Sequence, residues 1–187
     1  MLIEIFSFLL NIFVGLISGA CLLRAYMQAQ RAPFSNSIGQ LVFALTNWIV
    51  LPLRKVLPAK GRWDLSSIVA AFLLQIALLL MLWLLTGGPL MAVALPWLAL
   101  CGLLRVAISG AMGILIVYAV LSWVQPYSPV FGILQRLSDP LLGPARKLVP
   151  SIGGVDLSAM VTLIALQVLL MVLGHLEIGG LRMLAGF

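Results

Sequence analysis

Charged side chains are so sparse along this chain that its apolar runs define its outline. Ser66–Thr86 and Ser158–Leu176 carry no formal charge. Each holds about twenty residues, which at 1.5 Å of rise per residue crosses a ~30 Å hydrocarbon core. A first span is expected within Ile5–Tyr26, with Arg24 marking its exit. The stretch Pro89–Val124 is too long for one crossing, roughly 50 Å at helical rise. It also contains Pro96, Gly102, Arg105, Gly110 and Gly113. It therefore reads as a span over Leu100–Trp123 preceded by an interfacial or re-entrant approach, Pro89–Ala99.

The two long polar connections, Met27–Leu65 and Gln125–Leu157, each hold a helical pattern of their own. Phe34, Ile38, Leu41, Val42, Leu45 and Ile49 share one face, with Ser35, Asn36, Gln40 and Asn47 mostly elsewhere. Val130, Ile133, Leu134, Leu137 and Leu141 do the same against Gln135, Arg136 and Asp139. Apolar residues at i, i+3, i+4 and i+7 describe an amphipathic helix lying in the membrane surface or tucked into the bundle.

The pattern also repeats at long range. Pro52, Arg54, Lys55, Pro58, Gly61, Asp64, Leu65 and Ser66 recur as Pro144, Arg146, Lys147, Pro150, Gly153, Asp156, Leu157 and Ser158, all at an offset of 92 residues (156 − 64). The register continues into the apolar runs, to Gln75 and Gln167. Such a match, placed just where a membrane segment begins, marks a tandem duplication. The expected fold is an all-α integral membrane protein with about four transmembrane helices in two tandem repeats, 1–88 and 89–187. Each repeat runs span, in-plane amphipathic helix, basic turn, span. With an even number of crossings per unit, the copies point the same way, related by a pseudo-two-fold axis along the membrane normal.

Composition agrees with a membrane class: 63% of residues are hydrophobic and 9% charged, where a soluble domain carries about a quarter charged. The net charge of +6 would suit nucleic acid on a soluble chain. Flanked by apolar spans it instead suits anionic lipid, and no nucleic-acid partner is expected. Arg24, Arg31, Arg54, Lys55, Lys60, Arg62, Arg136, Arg146 and Lys147 fall on one side of four crossings, against Arg105 and Arg182 on the other. The positive-inside rule makes the basic side cytoplasmic and both termini periplasmic. Glu4 stands where a cleaved signal would carry a basic residue, so no such signal is expected. Cys21 and Cys101 lie apart in apolar runs, which signals neither a disulfide framework nor a metal site.

The recurring residues have simple structural uses. Pro52, Pro58, Pro144 and Pro150 bracket the basic pairs, ending one helix and keeping the next from running through the turn. Arg54-Lys55 and Arg146-Lys147 then sit at headgroup level, as topology anchors or as a docking surface for a partner or an anionic headgroup. Asp64 and Asp156 stand at N-cap positions, with Ser66 and Ser158 sharing the task, and an ion pair to the preceding basic residues is compatible with capping. Gln75 and Gln167 lie near mid-span, where interhelical hydrogen bonding is the default and a mutual contact on the pseudo-axis is open. Arg105 is expected to snorkel to the outer headgroups. No nucleophile, base and oxyanion set assembles, nor a phosphate loop or metal-ligand spacing, so catalytic, cofactor and metal sites are all expected to be absent.

Ser122, Trp123, Pro126, Ser128 and Pro129, then Leu137, Ser138, Asp139, Pro140, Leu141, Leu142, Pro144, Arg146, Lys147, Pro150, Gly153, Gly154, Asp156, Leu157 and Ser158, resemble the signature of the YggT family. The first copy departs from it, with Thr46-Asn47-Trp48 in place of Ser138-Asp139-Pro140. The resemblance implies a small non-enzymatic protein of the bacterial inner membrane, linked to osmotic stress and ion homeostasis. It also implies an alternative, a scaffold or assembly factor for a membrane complex or the division machinery. Homo-oligomerisation or a membrane-protein partner fits either.

Overall fold

The computed structural model describes residues 1–57, 63–87, 93–125, 127–148 and 157–185, with the side chains of all but 148, 157, 184 and 185. It is all-helical over these residues: α1 (Leu2–Ala29), α2 (Ser37–Val56), α3 (Leu65–Thr86), α4 (Leu95–Val124), α5 (Pro129–Leu148) and α6 (Leu157–Ala185). Among them α1, α3, α4 and most of α6 are long and apolar enough to cross a membrane. The repeat is visible in the element bounds. Helix α5 begins and ends 92 residues after α2 (129 − 37 and 148 − 56), and α6 begins 92 after α3 (157 − 65).

Local chemistry sets the ends. Asn36 caps α2, its side chain accepting from the Gly39 N–H at 2.8 Å. Ser128 does the same for α5, accepting from the Phe131 N–H at 3.2 Å, with Pro129 at the first helical position, where its missing N–H costs nothing. Gly87 closes α3 in the left-handed conformation, φ 63°. At the end of α1 the Ala32 N–H reaches the Met27 carbonyl and the Arg31 N–H the Gln28 carbonyl. This is a Schellman closure with Arg31, φ 52°, where glycine is usual.

Each repeat packs as a three-helix unit. In the first, α2 fills the groove between the C-terminal end of α1 and the N-terminal end of α3. Val42 joins Met27 and Ala32, and Val50 joins Ile17, Cys21, Ala70 and Ala71. In the second, Leu134 and Leu142 of α5 pack with Leu115, Tyr118 and Ala159. The units meet through α3 and α1 against α4. At the basic end Leu137 of α5 joins the Met27 and Val42 cluster, and the Tyr26 hydroxyl donates to the Leu137 carbonyl at 2.7 Å. Both amphipathic helices therefore sit at the same end of the bundle.

Three sequence expectations change. The span helix begins at Leu95, so 95–99 belong to it rather than to an interfacial approach. Pro96 lies in its first turn, where proline starts a helix rather than breaking it. Pro52 lies inside α2, and Pro140 and Pro144 inside α5; they do not end these helices. Arg54-Lys55 and Arg146-Lys147 accordingly form the last turns of α2 and α5, where cations oppose the negative end of the helix dipole. Finally, the buried stripe of α2 is Gly39, Val42, Thr46 and Val50, while Leu41 is exposed beside Trp48 and Leu51. The inward face is set by Thr46, a polar residue that apolar periodicity passes over. Pro58, Gly61, Pro150, Gly153 and Asp156 lie outside the described residues.

Candidate functional site

Two arginines from different elements converge on one carboxylate at the basic end. Asp64 is the N-cap of α3 and is wholly buried. Its Oδ2 receives Arg54 Nη2 at 2.5 Å and the Ser67 hydroxyl at 2.9 Å, while Oδ1 accepts the Ser67 N–H at 3.3 Å. Arg24 Nε stands 3.7 Å from the same Oδ2. The far end of that guanidinium donates to Thr46 Oγ1 and Asn47 Oδ1, both at 2.9 Å. The Phe43 ring lies 4.7 Å from its central carbon, at cation–π distance. The cluster thus ties α1, α2 and α3 together, with two positive charges against one negative.

Burial pushes the Asp64 carboxyl up, but hydrogen bonds from Arg54 and Ser67 and the Arg54 charge outweigh it. They hold the group below the ordinary carboxylate range. It is an ion-pair anchor as much as a cap. Ser66 does not share the capping: its hydroxyl donates to the Leu57 carbonyl at 2.5 Å and fastens the end of α2 to the start of α3. The capping is done by Asp64 alone, with the N–H and hydroxyl of Ser67 as its donors.

The described residues of the second repeat make other contacts. The position of Arg24 is taken by Ile116 (24 + 92), Thr46 by Ser138 and Asn47 by Asp139. Asp139 Oδ1 accepts from Arg146 Nη1 at 2.8 Å, and the Tyr118 hydroxyl lies 3.3 Å from Arg146 Nη2. The buried Ser138 hydroxyl has no hydrogen-bond partner among the described residues. The first copy's departure from the family signature is therefore part of the Arg24 site. Asn47 supplies a neutral acceptor in a place already served by Asp64. Lys55 and Lys147 are exposed and join neither cluster.

The two glutamines are not brought together. Gln75 is buried at the α3–α4 contact, its side-chain oxygen 2.8 Å from where a Cβ on Gly102 would stand. Gln167 is exposed on α6. A mutual contact on the pseudo-axis is thus corrected, because α4 rather than α6 covers that face of α3. Arg105 pairs with Glu177 of α6 at the far end of the bundle. Between α1 and α4 lies a cavity of about 470 Å³ with apolar walls, including Leu22, Val106, Ala107 and Ile114. Sequence reasoning took Arg24 only as the end of a span. The signal available was the coincidence of an arginine near the end of α1 with the Thr46-Asn47 departure on α2.

These features define a multi-pass, all-α membrane protein of two three-helix repeats with a buried charge cluster in the first. Sequence comparison places it further. The chain matches the CCB3/YggT family over residues 3–85 and 97–176, and it belongs to that family. It is 36% identical over 167 residues to the uncharacterised protein YggT of Escherichia coli K12, covering 87% of this chain and 86% of that one. It is 33% identical over 164 residues to the uncharacterised protein in the proC 3′ region of Vibrio alginolyticus, covering 86% and 89%. An uncharacterised Pseudomonas aeruginosa protein is 34% identical over 153 residues, covering 79% and 77%. No solved structure matches the chain.

Proposed function

We propose that this chain is a non-enzymatic organiser of the bacterial inner membrane, presenting α2 and α5 at the cytoplasmic surface to a membrane-protein partner and to anionic headgroups. The observation that carries this reading is how its polar groups are used. Arg24, Arg54, Thr46, Asn47 and Asp64 are engaged in fixing α2 to α1 and α3. Lys55 and Lys147 stay exposed at the ends of α2 and α5, and α2 shows Trp48, Leu51 and Val56 beside them. A cation next to an exposed aromatic and aliphatic face suits the headgroup level. The osmotic-stress and ion-homeostasis role implied by the family resemblance is then indirect, through a transporter that this protein holds or assembles. The apolar walls of the inter-repeat cavity support organisation over conduction, because a permeant ion needs polar groups along its path.

In this topology both termini are periplasmic. A cytoplasm-only reporter fused after Phe187 should be silent and a periplasmic reporter active. The direct test of function is paired. Purified protein in liposomes should give no selective ion flux, and charge reversal at Lys55 and Lys147 should abolish osmotic protection in cells with membrane levels unchanged. Selective flux from the purified chain would replace this reading with direct conduction.

A further inference from the structure

Gln167 is ten residues into α6 (167 − 157), or ~15 Å along the helix, the middle of a ~30 Å core. It is exposed, and no hydrogen bond to it is formed among the described residues. At 100° per residue it lies about 120° round the helix from Leu173, on the buried face of α6 that packs toward α4. Met160, Ile164, Met171 and Ile178 share its exposed side, and Gly174 on the same stripe has open space over its backbone. Of the four apolar span helices among the described residues, α6 is the least covered by the rest of the chain.

An amide at that depth cannot stay in lipid. Its side chain is too short to reach either headgroup layer, and hydrocarbon supplies no donor or acceptor. The equivalent Gln75 is covered by Gly102 of α4, a helix supplied by the next repeat. No described helix covers Gln167 in the same way, so we look for its cover outside these helices. We infer that α6 packs on α6 of a second copy of this chain, about a two-fold axis along the membrane normal beside Gln167. An amide carries both donors and an acceptor, so it is complementary to itself. Each Gln167 donates one Nε2–H to the other's Oε1, so each amide gains a donor and an acceptor partner without a charge. The same axis sets the two glutamines at equal depth automatically, whereas an unrelated partner would need a matching group at that level. Met160, Ile164, Met171 and Ile178 then supply the apolar contact, and Gly174 the close approach. This inference stands independently of the proposed function.

The test uses the full chain in native membranes. In a background with both native cysteines replaced by alanine, Ile164→Cys and Met171→Cys should form disulfide-linked dimers under mild oxidation. Leu169→Cys, on another exposed side of α6, should not. In liposomes of phosphatidylethanolamine and phosphatidylglycerol, energy transfer between donor- and acceptor-labelled chains should report a dimer. Gln167→Leu should raise its dissociation constant about tenfold, and Gln167→Asn, which keeps the amide, less than Leu does. Cross-linking at Leu169→Cys as strong as at Ile164→Cys would overturn the proposal, as would unchanged dimerisation of Gln167→Leu. The cross-linking arm leaves Gln167 in place, so it does not depend on that variant folding.

Discussion

Replacing Asp64 with asparagine separates the two roles that meet in its carboxylate. As a cap, asparagine is nearly equivalent to aspartate, because its amide oxygen still accepts the Ser67 N–H. As the counter-charge of a buried cluster it is no substitute. Arg24 is 3% exposed at its side chain and Arg54 34%, and neutralising Asp64 leaves two guanidiniums against no charge. Removing one partner of a buried pair costs about 3–5 kcal/mol. Solvent screens the share of Arg54, and Arg24 keeps Thr46, Asn47 and Phe43, which places Asp64→Asn near the lower end, about 3 kcal/mol. In a chain of this size that corresponds to roughly 6–12 °C in Tm. Alanine should lose about 1 kcal/mol more with the cap.

Thermal unfolding of purified protein in detergent, followed by fluorescence-detected size exclusion, measures the series. Adding Arg24→Met to Asp64→Asn removes the stranded charge and should recover about half of the loss, a non-additivity that two independent sites cannot show. If Asp64→Asn unfolds within ~0.5 kcal/mol of the parent while Asp64→Ala loses ~1 kcal/mol, capping alone is the role of Asp64. The charge-cluster reasoning then fails.

Other outcomes follow from the same contacts. Because the Asp64 carboxyl is held below its ordinary range in the folded chain, its contribution is complete above about pH 4 and disappears only as pH falls through the lowered value. Melting temperature should therefore show no Asp64-dependent change from pH 8 to 5, and a loss below pH 4 that Asp64→Asn lacks. Arg31→Gly should stabilise by about 0.5–1 kcal/mol in chemical denaturation, since glycine adopts the left-handed closure of α1 without strain. Gly180→Val should destabilise the far end of the bundle, because the Trp97 indole already occupies the space of a Cβ there; a shift in tryptophan fluorescence would register the displacement.

The class and outline of this protein were legible in sequence because a lipid-spanning segment has a strong signature of its own, about twenty residues without a charge. The amphipathic helices and the duplication were legible for similar reasons, through period and offset. What escaped was whatever depended on which helix faces which. The inward face of α2 is organised around Thr46 because Arg24 needs an acceptor there, and hydrophobic periodicity cannot register a polar residue as the centre of a buried stripe. The prolines misled because Pro52 and Pro144 were read as stops, whereas α2 and α5 run through them. Gln75 and Gln167 share a register, yet register fixes depth and face within each unit and says nothing of which helix lies against that face.

That last point bears on how a duplicated membrane chain diversifies. Two copies of one unit begin with equivalent faces, but α3 of the first meets α4 of the second on the face that holds Gln75, a face that α6 leaves exposed among the described residues. Here α3 has α4 against Gln75, while α6 keeps the corresponding polar position exposed. The charge cluster diverges in the same sense. With Arg24 on α1, the first copy joins all three of its helices through Asp64, whereas the second has an isoleucine there and pairs Arg146 with Asp139 of its own helix α5. Among the described residues, then, the first repeat holds the buried Arg24, Arg54 and Asp64 cluster, and the second holds the exposed stripe of α6. A role in organising partners would accordingly fall unequally on the two copies, with variants in the α6 face changing assembly and variants around Asp64 changing stability.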